Sequence, residues 1–146
     1  MHKLISLSNP FIVFGIFLIV SILNIILSVH FITILFVGVI FTSFIHSISF
    51  KYYWSLVFSI LAFIFIEISN GLSIGSLSLV SFFIYTFIVP KIGNYLKSKI
   101  VYLGILNLIF YSGVFLLFSI NSEINNILVS KIILNFILDL FLVSLL

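Results

Sequence analysis

Glu67 and Asp139 are acids set inside long apolar runs, where an ionisable group is costly enough to call for a role. Lys131 stands near the start of the last apolar run, and His46 closes the second. Two readings of these groups are open. One is a proton or ion relay through Glu67 and Asp139. The other makes both acids structural, hydrogen-bonded to neighbouring helices, with Glu67 paired to Lys131. A relay needs acids or His at successive depths, and two acids on different segments supply few steps. The expectation is therefore that Glu67 anchors the turn after its helix, with Lys131 as its partner. Asp139 falls about 18 Å below the outer end of its helix at the α-helical rise, so it is deep.

Other patterns carry less. Gly71-Leu72-Ser73-Ile74-Gly75 matches G-x-S-x-G, but that motif needs a strand–turn–helix setting and a nearby His. Here it joins two apolar helices, and His46 is expected on the opposite membrane face. The simpler reading gives Gly71 to the turn and Gly75 to close helix approach. His30 and His46 are sixteen residues apart, about 24 Å along a helix, and cannot share one haem iron. With no Cys there is no thiolate site. Asn24, Asn107 and Asn135 read as interhelical hydrogen-bonding residues. No catalytic, cofactor-binding or metal-ligating set is expected.

The elements that must position these residues follow from composition. The chain has 146 residues, 64% hydrophobic and 6% charged, with a mean hydropathy of +1.52. Soluble domains carry about 25% charged residues, so a water-facing surface is excluded, and with it a soluble enzyme, a nucleic-acid binder and a disordered tail. Ala62 is the one alanine and Arg is absent, a skew that resembles the usage of an AT-rich genome. A spanning helix takes about 20 apolar residues, and polar breaks divide the chain into six: about 10–28, 31–46, 53–69, 74–90, 100–120 and 127–146. Long runs such as 11–23 lack the period-two alternation of barrel strands. The fold class expected is all-α, one polytopic six-helix membrane domain. The first span lacks a cleavage site and reads as a retained anchor.

Lys3, Lys51, Lys91, Lys97 and Lys99 fall on one side of a six-span path, and only Lys131, with Glu123, on the other. This bias predicts both ends in the cytoplasm. Loops are short, so partners are expected to bind laterally within the membrane. The basic loop with Lys91, Lys97 and Lys99 is expected to contact anionic lipid.

The stretch 51–117 resembles MreD, the small membrane protein of the bacterial rod-shape system. Members of that family end their third helix in an acid, followed by glycines four and eight residues on. Here these are Glu67, Gly71 and Gly75, within FIFIEISNGLSIGSLSLVSFFIYTFI, with Glu in place of the usual Asp. The six spans, the cytoplasmic ends, the basic loop and the length resemble the family too. The resemblance implies a non-enzymatic scaffold of the bacterial inner membrane. It would act in lateral peptidoglycan synthesis, binding MreC and through it MreB, RodA and the elongation penicillin-binding transpeptidase. The family is similar in fold to the substrate-binding subunits of energy-coupling-factor vitamin transporters, which supplies the alternative of a small-substrate-binding subunit. That alternative needs a polar or aromatic pocket open to the outer face.

Overall fold

A computed structural model describes residues 10–28, 36–93, 98–121 and 126–145. Regular structure among them is helical: α1 (Pro10–Ser28), α2 (Val37–Ser49), α3 (Tyr53–Asn70), α4 (Ser76–Phe83), α5 (Val89–Gly93), α6 (Lys99–Asn121) and α7 (Asn126–Leu145), with a π turn over Ile84–Ile88 joining α4 to α5. Tyr53–Asn70, Ser76–Gly93 and Ile100–Ile120 are long and apolar enough to cross a membrane. Large apolar side chains cover the outer surface, among them Phe11, Leu79, Phe83, Leu116 and Phe141. A helical chain that faces its surroundings with such groups is a membrane protein.

Local chemistry sets the helix ends. Pro10 opens α1, where its missing N–H costs nothing. Gly71, at φ 69°, closes α3 in a Schellman motif. Its N–H donates to the Ile68 carbonyl and that of Leu72 to the Glu67 carbonyl, at 3.4 and 2.9 Å. Gly75, at φ 89°, precedes α4, so the fourth helix starts at Ser76 rather than at the expected residue 74. The π turn lies just before Pro90, whose ring crowds the carbonyl four residues back and whose nitrogen cannot donate. The helix continues through it to Gly93, past the expected end at residue 90.

The second helix departs most from expectation. It runs over Val37–Ser49 rather than 31–46, with 31–35 outside the described residues. At its start Phe36 takes a left-handed conformation, φ 63°. At its end Lys51, φ 59°, occupies the position glycine usually takes, and the N–H groups of Lys51 and Tyr52 donate to the carbonyls of Ile48 and Ser47. Lys51, Tyr53 and Trp54 are exposed at this turn, as an aromatic and basic headgroup belt requires.

With 13 residues, α2 is about 20 Å long, short of the roughly 30 Å hydrocarbon layer. It is also the central helix, packed against α3, α4, α6 and α7, while α1 lies along α3. Phe41 of α2 stacks on Phe110 of α6 at 4.3 Å, and Phe63 of α3 packs on the same ring at 6.2 Å. Small residues bring α2 and α3 close: Ser43, Ser47, Ser55, Ser59 and Ala62 are all buried. Ser59 Oγ donates to Ser43 Oγ at 3.3 Å across that interface. The first turn of α2 is thus held inside the bundle.

Candidate functional site

Two buried acids define the polar interior, and each meets the start of a helix. Glu67, 0% exposed, projects from the last turn of α3. Its Oε2 accepts from the Gly75 N–H at 2.6 Å, and its Oε1 from the Leu77 N–H at 2.5 Å and the Ser76 hydroxyl at 3.3 Å. The first amides of a helix have no partner within it, and a carboxylate there also opposes the positive end of the helix dipole. The Schellman turn at Gly71 reverses the chain, and Gly75 delivers the amides onto the acid. Glu67, Gly71 and Gly75 are therefore one unit. Glu67 thus accepts from the donors of its own turn.

Asp139, 1% exposed, is the second acid, on α7. Its Oδ2 accepts from the N–H of Gly38, in the first turn of α2, at 2.6 Å and from the hydroxyl of Tyr111 on α6. Asn107 on α6 is wholly buried and donates from Nδ2 to the Leu103 carbonyl at 3.0 Å. It is thus bonded along its own helix, where the sequence suggested a bond between helices. A Cβ at Gly38 would sit 2.6 Å from Asn107 Oδ1 and 2.8 Å from Asp139 Oδ2, so only glycine admits this approach. Phe36, two residues earlier, holds a backbone conformation that a bulky residue rarely adopts. Asp139 Oδ1 and Asn107 Oδ1 are buried acceptors with no donor.

The remaining candidates lie elsewhere. Lys131 is half-buried on α7. His46, at the other end of α2, packs on Phe50 at 4.5 Å and Tyr52 at 6.1 Å. Ser73 is exposed in the α3–α4 turn, so the G-x-S-x-G pattern has no strand–turn–helix setting. His30, Lys97 and Glu123 lie outside the described residues. No three His, Asp or Glu side chains gather among the described residues.

An open apolar groove of about 450 Å³ runs between α6 and α7, lined by Leu108, Tyr111, Phe115, Ile132 and Phe136. Tyr111, whose hydroxyl donates to Asp139, is part of its wall. Gly38 and Tyr111 are the site residues that the sequence did not single out. The signal for them was weak: one glycine in an apolar run and one phenol in mid-helix. No family model, no curated protein and no solved structure matches this chain.

Proposed function

We propose that this chain is a six-span protein of the bacterial cytoplasmic membrane, with both ends cytoplasmic, that serves lateral wall synthesis as a non-enzymatic scaffold of the MreD type. The observation that carries the reading is the Glu67 unit. The three residues on which the MreD resemblance rests work as a single device, an acid that seats the next helix through two glycine-shaped turns. Such a device fixes the geometry of the α3–α4 turn and commits both oxygens of the acid to it. The lysine distribution supports the orientation. The proposed partners are MreC and, through it, MreB, RodA and the elongation transpeptidase, reached through the apolar lateral faces. Anionic lipid would meet the loop with Lys91, Lys97 and Lys99.

The test is gentle-detergent purification from the native host with mass spectrometry of what co-purifies. Recovery of rod-system proteins is the expected outcome. Recovery of an ATPase module with a coupling subunit would overturn it in favour of a substrate-binding transporter subunit.

A further inference from the structure

The groove between α6 and α7 has a floor, a rim and a length, and together they select one kind of occupant. Its floor includes Tyr111 and Ile132, both buried, and its rim includes Leu108, Leu116 and Ile133, all more than half exposed. The rim is continuous with the apolar outer surface of the bundle, so the groove opens sideways into the hydrocarbon that bathes that surface. Farther from the α6–α7 connection the two helices come together, where a Leu140 methyl lies 3.6 Å from the place a Gly104 Cβ would take. Before that point the rings of Tyr111 and Phe136 meet edge to face at 5.4 Å.

The walls ask for no hydrogen bond. Their two hydroxyls are committed elsewhere: Tyr111 donates to Asp139 Oδ2, and Ser112 donates to the Leu108 carbonyl at 2.9 Å. No charged residue is among the described residues that line the groove. A polar ligand would lose its hydration there and gain nothing in return, whereas hydrocarbon has none to lose. Length argues against a helix. Leu108 and Leu116 are eight residues apart, about 12 Å along α6. That is the reach of a chain within one leaflet, half of the roughly 30 Å hydrocarbon layer. A spanning helix is about 10–12 Å across and runs the whole layer, so most of its length would lie beyond the groove.

We propose that the α6–α7 groove is a binding site for one acyl chain of a membrane phospholipid, seated between the two helices with the ring of Tyr111 in its floor. The chain packs on the same phenol whose hydroxyl holds Asp139, so lipid backs the seat of α2 from outside. The site needs only a bilayer and is independent of any rod-system partner.

The test reconstitutes the full chain in vesicles of phosphatidylethanolamine and phosphatidylglycerol. A fraction of the phosphatidylethanolamine carries a diazirine midway along one acyl chain. After illumination, mass spectrometry locates the labelled residues. Leu79 and Phe83 on α4, outside the groove, are at least as exposed as the groove rim and serve as the reference. A chain between two walls touches more atoms than one lying on a single helix, so Leu108, Ser112 and Ile133 should be labelled about threefold or more above that reference. Filling the groove from either wall, with Ser112→Phe or Ile133→Phe, should abolish the excess at the remaining groove residues and leave α4 labelling unchanged. Both positions are exposed, and far-UV circular dichroism checks that the variants fold. Groove labelling no higher than that of α4 would reduce the groove to ordinary lipid-facing surface and overturn the proposal. So would an excess that survives both fillings. A groove shielded from label in a dimer seen by native mass spectrometry would assign it to a second copy instead, and one labelled only after a co-purifying protein is removed would assign it to a partner helix.

Discussion

Replacing Glu67 should cost more than any other single change at the α3–α4 turn, and the structure sets the size. Glu67→Ala strands the half-buried amide of Gly75 and the buried amide of Leu77. Each orphaned amide costs about 1–3 kcal/mol. Loss of the anion at the start of α4 adds about 0.3–1 kcal/mol, for a total of about 2–7 kcal/mol. Glu67→Gln keeps one acceptor oxygen for one amide but turns an NH2 group toward the other, so it should lose about 1–3 kcal/mol. The expected order of stability is parent, Gln, Ala. Unfolding by SDS in mixed micelles measures it, followed by far-UV circular dichroism and by the fluorescence of Trp54, the single tryptophan. An alanine variant within about 1 kcal/mol of the parent would show that these amides find other partners. A glutamine variant as unstable as alanine would show that charge, not acceptor count, holds the turn.

The same assay tests three further changes. Gly38→Ala drives a methyl to 2.6 Å from Asn107 Oδ1 and should cost about 2–3 kcal/mol, part of it recovered when Asn107→Ser is added. Gly75→Ala meets open space but a φ of 89°, so its loss of about 1–2 kcal/mol should be pure backbone strain, and Gly75→Asn should lose less. Lys51→Gly relieves a left-handed lysine at φ 59° and should raise stability by about 1 kcal/mol; no gain would mean that the Lys51 side chain repays its strain. For topology, single cysteines at Ser73→Cys and Ser98→Cys, both exposed sites in a Cys-free chain, should be labelled from opposite sides of the membrane by an impermeant maleimide. Labelling from the same side would defeat the six-span path.

What was legible in the sequence was local. Glu67, Gly71 and Gly75 are spaced four residues apart, so one turn contains the whole unit, and glycine at a helix end announces the turn. What a count of charges does not show is that the reversal of the chain delivers its own amides onto the acid. Asp139 was legible as a buried acid, but its partners were not. Gly38 lies 101 residues away and Tyr111 lies 28 away, and neither residue type marks a polar site in an apolar run. The bounds of α2 were misjudged for a related reason. Polar residues at His30 and His46 suggested its ends, yet it begins after a phenylalanine in a left-handed conformation and continues past His46, which packs on aromatic rings.

Both acids answer one constraint. A helix whose first turn is buried presents amides that water cannot reach, so they must be met by the protein. The first turn of α4 receives Glu67 from the helix before it, and the first turn of α2, too short a helix to reach the far surface, receives Asp139 from α7. An acid within a span is therefore not by itself a mark of transport, because seating a helix is reason enough for it. The two sites differ in what remains. Both Glu67 oxygens accept from donors of the turn. Asp139 keeps one oxygen without a donor, and Asn107 on α6 keeps its amide oxygen without one, so the seat of α2 is the less fully satisfied of the two.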